Sequence, residues 1–207
     1  MKNIKDIKIQ IIQTKECSLT KNNGHYKIED FSNDEVPGGL EPITFLIKGV
    51  DYEKGKELVI GTVDGYLIDF DFNFKVHLID FDEISGSMYE FCETMIKTKS
   101  IPFVKKGCST DYFLFIDSIN VDDKYKNQGI GTTFFKNIEE ILMNFQYGYV
   151  KGIVLKAFPT DKTFNDSDWN SLNKRLKIFY SRNGFLNAKD KDYMYLIFED
   201  VYNSLND

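Results

Sequence analysis

The chain has 207 residues, 42% of them hydrophobic and 28% charged, with 18 Phe and 12 Tyr to furnish a core and a formal net charge of −6. No run approaches the roughly 20 apolar residues that a bilayer-spanning helix needs, and the acidic balance argues against tight, sequence-independent nucleic-acid binding. Met1 to Gln10 alternates Lys with Ile and lacks the apolar stretch of a signal peptide, so a cytoplasmic location is expected, with no membrane partner. The three cysteines, Cys17, Cys92 and Cys108, share no CxxC spacing, and the two histidines, His25 and His77, stand far apart. Neither a disulfide framework nor a histidine-rich metal site follows.

In chain order, Ile4, Ile7, Ile9 and Ile11 sit in a Lys- and Gln-interleaved run that predicts a strand ending near Thr14. Lys21 to Asp34 is polar and is followed by a turn signal at Val36-Pro37-Gly38-Gly39. Ile43–Val50 and Leu58–Phe72 are rich in β-branched and aromatic residues and predict strands, with Val76–Asp80 as a short partner. A helix is expected next: Ile84, Met88, Phe91 and Met95 mark one apolar face, and Ser87 with Glu90 has the form of a capping box. Lys97 to Thr110 reads as a connection.

Asp111–Val121 is the strongest strand signal of the chain. A polar turn, Asp122 to Gln128, leads to Gly129-Ile130-Gly131, after which Phe134, Ile138, Ile141, Leu142 and Phe145 repeat at helical spacing. Val150–Ala157 is nearly continuous in apolar character, as a buried parallel strand is, so a right-handed βαβ crossover is expected. Trp169, Leu172, Leu176 and Phe179 predict a second helix of this half, closed by Asn183-Gly184, and Tyr193–Phe198 is a last strand.

The glycine turn carries the chemistry. Glycines between a strand and a helix let the backbone approach a ligand, and the first helical turn offers unpaired N–H groups suited to phosphate. The dinucleotide fingerprint fails because Phe134 stands where its third glycine belongs, and no Gly-Lys-Ser/Thr of a P-loop occurs at the turn. The remaining pattern resembles the pyrophosphate loop of the GNAT acetyltransferases, R/Q-x-x-G-x-G/A, with Lys126 in the first position. Ile116-Asp117-Ser118-Ile119-Asn120-Val121 resembles the family's fourth strand, Phe179-Tyr180-Ser181-Arg182-Asn183-Gly184-Phe185 its F-Y-x-x-x-G-F helix end, and Asn173 the Asn that opens that segment. The resemblance covers Phe113 to about Phe198.

It implies an α/β fold of GNAT type, a central mixed, mostly antiparallel sheet flanked by helices. The expected arrangement is one domain over 1–207, with a β-rich acceptor side in 1–110 and an acetyl-CoA half in 111–200. Acetyl-CoA is implied as co-substrate, and a primary amine as acceptor. Its pyrophosphate would be held by Lys126, Asn127, Gln128, Gly129, Ile130, Gly131 and Thr132. Its pantetheine arm would pair with the backbone of Ile119, Asn120 and Val121, with Asn173 on the following helix also on the cofactor. Tyr180 corresponds to the family's general acid and Asp117 to the strand carboxylate that serves as base.

Other residues point elsewhere. Asp69, Asp71, Asp80 and Asp82 form D-x-D pairs, which acidic strand faces show routinely, so no metal is expected. Relatives of this type place two helices between the first and second strands, whereas strands crowd this region here. Two other readings stay open: an acyl-CoA-binding sensor with little turnover, and a β-rich first half that binds a partner, a second copy in a homodimer among them.

Overall fold

Strand or helix forms wherever the apolar period demands it, and the register then decides which face each residue meets. The computed structural model describes residues 7–12, 17–22, 25–30, 40–51, 56–69, 86–98, 112–144, 150–159, 166–189 and 192–198. In chain order the elements are β1 (Ile7–Ile12), β2 (Cys17–Asn22), β3 (His25–Asp30), β4 (Leu40–Asp51), β5 (Lys56–Asp69), α1 (Gly86–Thr98) and β6 (Tyr112–Val121). A 3₁₀ turn (Asp123–Tyr125), α2 (Ile130–Asn144), β7 (Val150–Lys156), α3 (Asp166–Arg182), β8 (Leu186–Asn187) and β9 (Tyr193–Ile197) follow.

Among the described residues, seven strands form one sheet in the order β1-β4-β5-β6-β7-β9-β8, and β2 and β3 form a separate two-stranded sheet. Every pair in the large sheet is antiparallel except β6 with β7. The parallel pair is the one expected on either side of α2, since a parallel return needs a long crossover. The mixed, mostly antiparallel sheet flanked by helices is the architecture that the motifs implied.

Two clusters divide the sheet's faces. One joins Ile43, Phe45, Val63, Leu114, Ile116 and Leu155 to Ile130, Phe134, Phe135 and Ile138 of α2 and Tyr180 of α3. The other joins Leu40, Ile68, Phe113, Phe115 and Val154 to Met88, Phe91 and Cys92 of α1. Thus α2 and α3 pack on one face and α1 on the other. Alternation along each strand supplies both clusters, because successive side chains point to opposite sides.

Several expectations need correction. A hairpin of β2 and β3 overlaps the polar stretch Lys21 to Asp34, with Cys17 opposite Asp30 and Asn22 opposite His25. The sequence between the two strands, Asn23-Gly24, is one that favours a hairpin. Ser87 and Glu90 do not make a capping box, since Gly86 already belongs to α1 and both side chains reach across to the sheet. Phe135, outside the predicted apolar face of α2, is buried against Phe179, Tyr180 and Phe185. The short strand at Val76–Asp80, the turn at Val36–Gly39 and the residues Asp71, Asp80, Asp82, His77 and Cys108 lie outside the described residues.

Candidate functional site

A fork opens between β6 and β7. Their pairing runs from Tyr112 opposite Val150 to Ile116 opposite Leu155 and stops there. On its other edge β6 continues against β5 as far as Val121 opposite Gly61. Asp117 to Val121 therefore have one sheet neighbour instead of two, and backbone groups on the β7 side of Ile119, Asn120 and Val121 have no strand partner among the described residues. Such groups pair with an extended ligand as readily as with a strand.

The fork begins at a bulge. Gly65 faces Ile116 and Asp64 faces Ser118, so Asp117 is one residue extra on β6. A bulge bends its strand and redirects a side chain. Asp117 is turned toward α1, where the Ser87 hydroxyl donates to its carboxylate. On the same face, Asp64 accepts from Thr44 Oγ1 at 2.8 Å and from Ser118 Oγ at 3.1 Å, and Asn120 Nδ2 donates to Ser118 Oγ at 3.2 Å. Tyr66 lies beside both carboxylates. Burial first, then the charges of Asp117 and Asp64, push its phenol above the ordinary range.

The prongs of the fork are tied to one helix. Ile116 and Leu155 are the last paired residues, and the next on each strand, Asp117 and Lys156, are bound to Ser87 and Glu90 of α1. Lys156 Nζ lies 2.6 and 2.7 Å from the two Glu90 oxygens. It also lies 4.8 Å from the ring centre of Phe158, whose ring meets that of Trp169 edge-on at 5.1 Å.

At the mouth of the fork stands the glycine turn. Asp122 N–H bonds to Ile60 O at 3.0 Å, and Tyr125, 5% exposed, anchors the 3₁₀ turn in the core. Asn127 and Gly129 then take φ of 61° and 80°, the left-handed region that glycine enters without strain. Thr133 N–H to Gly129 O is the first bond of α2, so the amides of Ile130, Gly131 and Thr132 have no carbonyl within the helix. A side chain at Gly129 would meet nothing within 4 Å, whereas a Cβ at Gly131 would stand 2.9 Å from Phe179 Cζ. The first glycine serves the turn, and the second serves close packing of α2 on α3. Lys126 and Gln128 are exposed and bond back within the turn: Lys126 Nζ pairs with Asp123 at 2.5 Å, and Gln128 Nε2 donates to Lys124 O at 3.0 Å.

Tyr180 comes from the other helix. Asn183 is the cap of α3, and Gly184, at φ 90°, follows it. Gly184 N–H bonds to Ser181 O at 3.1 Å and Phe185 N–H to Tyr180 O at 3.1 Å, a Schellman ending with the Tyr180 and Phe185 rings 5.6 Å apart. The F-Y-x-x-x-G-F pattern is thus read by the fold as a helix stop that fixes Tyr180. The phenol belongs to the cluster that holds Ile116 and Leu155, the base of the fork, and burial pushes it up to about 12. It remains a protonated donor at neutral pH.

An acyl-CoA would fit these residues on three counts. Unpaired amides start α2, an open strand edge lies along Asp117 to Val121, and Asn173 is 7% exposed with its Oδ1 bonded to nothing among the described residues. A buried orphan acceptor costs stability unless a ligand or water completes it. Tyr180 and Asp117 approach the fork from opposite faces of the sheet. Composition and motif did not point to Asp64, Thr44 or Tyr66 and marked Ser87 only as a helix cap; all four meet Asp117 or its neighbours through tertiary contact. Of the cysteines, Cys92 is buried, with its thiol pushed far up by burial. Among the described residues no metal-ligating cluster occurs, and no helix is long and apolar enough to cross a membrane.

No family model matches the chain, and no curated protein does. Solved structures with a similar fold include a KacTA–DNA complex, 12% identical over 80% of this chain and 73% of that one, with a TM-score of 0.42. An AtaTR structure bound with acetyl-CoA is 13% identical over 79% and 71%, with a TM-score of 0.39. NAA60 of Arabidopsis thaliana in complex with acetyl-CoA is 14% identical over 75% and 74%, with a TM-score of 0.40. At this distance the likeness is one of fold alone. The chain resembles the GNAT acetyltransferases in its motifs, and its mixed sheet flanked by helices is the architecture that those motifs imply.

Proposed function

We propose that the chain is an acetyl-CoA-dependent N-acetyltransferase that moves an acetyl group to a primary amine by direct transfer in a ternary complex. The observation that carries this reading is the fork. Its open edge lies between a helix start rich in unpaired amides and a buried phenol on one face, with a carboxylate on the other. In this reading residues 111–200 are the acetyl-CoA half and 1–110 the acceptor side of one domain.

The amides of Ile130, Gly131 and Thr132, with Asn127, Gln128 and Lys126 around them, hold the pyrophosphate. The free edge of Ile119, Asn120 and Val121 lines up the pantetheine arm, and Asn173 completes its orphan oxygen on it. A backbone N–H at the fork takes the charge that grows on the thioester oxygen, where donors already in place cost no reorganisation. Asp117 removes a proton from the acceptor ammonium, directly or through a water. The amine nitrogen then bonds to the acetyl carbon, the carbon–sulfur bond breaks as Tyr180 gives its proton to the departing thiolate, and the surplus proton on the acylated nitrogen passes through water to the Tyr180 phenolate. The two groups act from opposite faces, which suits entry of the acceptor from the α1 side and of the cofactor from the α2 side.

A second reading, a sensor that binds acyl-CoA without turnover, is favoured by one observation: the Asp117 carboxylate is already engaged by Ser87 of α1. Calorimetric titration with acetyl-CoA, followed by thiol release over a panel of amines, separates the two. Binding with thiol release that Tyr180→Phe abolishes supports the transferase. Saturable binding with no release over small amines, amino sugars, peptide lysines and peptide N-termini moves the assignment to the sensor. No binding at millimolar ligand sinks both.

A further inference from the structure

Two guanidinium groups have no part in the scheme above. Arg175 and Arg182 stand two turns apart on one side of α3 and, with Ile178, Phe179, Asn183 and Thr132 from the first turn of α2, line a cleft of about 470 Å³. Both arginines are exposed, and neither forms an ion pair among the described residues. A second cleft, of about 560 Å³, shares Ile178 and Arg182 with the first and extends along α3 to Asn173, the residue whose buried Oδ1 is unpartnered. The second cleft also carries Lys174 and Lys177, the latter paired with Asp192 at 3.2 Å, so the two guanidiniums are the cations that flank the start of α2.

The chemistry of the first cleft selects its ligand. Guanidinium is planar and always charged, and its N–H groups match two oxygens of a phosphate at once. The adjoining α2 N-terminus adds a positive potential of its own. A carboxylate would satisfy one arginine, whereas a phosphomonoester dianion satisfies two. Coenzyme A carries one phosphomonoester besides its diphosphate, on the ribose 3′ carbon.

We propose that Arg175 and Arg182 bind the ribose 3′-phosphate of the CoA thioester, so that the protein selects CoA over 3′-dephospho-CoA. This rests on the acetyl-CoA reading and adds to it a discrimination between two cofactors that share diphosphate, pantetheine and thioester. The loop amides hold what the two have in common, and the arginines of α3 hold what distinguishes them.

The test is a calorimetric comparison of acetyl-CoA with acetyl-3′-dephospho-CoA on the wild type, Arg175→Gln, Arg182→Gln, the double variant and Lys136→Gln, an exposed lysine on α2 outside both clefts. The expected wild-type preference for acetyl-CoA is about 10- to 100-fold, the range of a charge-assisted, bidentate contact. The double variant should weaken acetyl-CoA by that factor and leave the dephospho compound as it was, so the preference falls to about one. Lys136→Gln should keep it. Thermal melts of the variants check that they fold, which the exposure of both arginines favours. Equal wild-type affinities, or a double variant that keeps the preference or loses both ligands alike, overturn the 3′-phosphate site and leave acetyl-CoA binding intact. Failure of the wild type to bind either compound overturns the cofactor reading itself, and the subsite with it.

Discussion

Ser87 and Asp117, 30 positions apart in sequence, are hydrogen-bonded across the gap between α1 and the bulge of β6. The bulge frees Asp117 from the ladder, and the serine gives the freed carboxylate a direction. Replacing Asp117 by Asn keeps the shape and removes the proposed base, so kcat should fall by about 10²–10⁴ with acetyl-CoA affinity unchanged. Ser87→Ala should lower kcat/KM for the amine about tenfold and leave acetyl-CoA titrations alone, because it loosens Asp117 without touching the α2 face. Steady-state thiol release at varied amine, beside calorimetry, reads both. An unchanged kcat/KM in Ser87→Ala would remove the serine from the mechanism.

Tyr180→Phe deletes one oxygen from a well-packed ring. The variant should fold and bind acetyl-CoA, and kcat should drop about 10²-fold or more if the phenol protonates the leaving thiolate. The same residue has a signature in stability. Its folded phenol, at about 12, keeps a proton that the unfolded chain releases near 10. The contribution is therefore whole below pH 10 and is lost as pH rises toward 12, up to about 2–3 kcal/mol over the two units. Alkaline melts should fall more steeply for the wild type than for Tyr180→Phe. Superimposable curves would show that the phenol is not buried as described.

Phe91 fixes α1 to the sheet. It is fully buried, stacked on Phe115 at 4.5 Å and tilted against Phe113 and Tyr193 at 6.0 and 5.6 Å. Phe91→Ala should cost about 3–5 kcal/mol in urea unfolding, the range for a buried aromatic truncated in a core. Since α1 packs opposite the cofactor face, the folded fraction should bind acetyl-CoA normally while KM for the amine rises. Loss of acetyl-CoA binding in a folded Phe91→Ala would mean that the two faces are not separate.

Cys92 lies beside Phe91 in the same cluster, and burial holds its thiol protonated far above the ordinary range. Thiolate is the reactive form, so native protein at pH 8 should leave Cys92 unlabelled by iodoacetamide for hours and label it at once in guanidinium. Peptide mapping by mass spectrometry distinguishes it from Cys17 and Cys108. Rapid native labelling would show that α1 detaches readily from the sheet.

The second half of the chain was legible because its signals are local. Gly129 and Gly131 between strand and helix, and Tyr180 to Phe185 at a helix stop, depend on neighbours within a few residues, and the structure realises both. Local reading failed where pairing is distant. Ser87 and Glu90 have the spacing of a cap, yet their partners, Asp117 and Lys156, lie on two strands that come later in the chain. Asp64 gave no sign of sharing hydrogen bonds with Thr44 and Ser118, since strand register is set by the whole sheet. The hairpin of β2 and β3 did carry a local sign, Asn23-Gly24, outweighed by the polar composition around it. Phe135 escaped because α2 is covered by α3 as well as by the sheet, which widens its buried arc beyond a single stripe.

The pair of ties from α1 to Asp117 and Lys156 makes that helix a strut across the prongs of the fork. The gap between β6 and β7 is then set partly by a part of the protein that lies behind it.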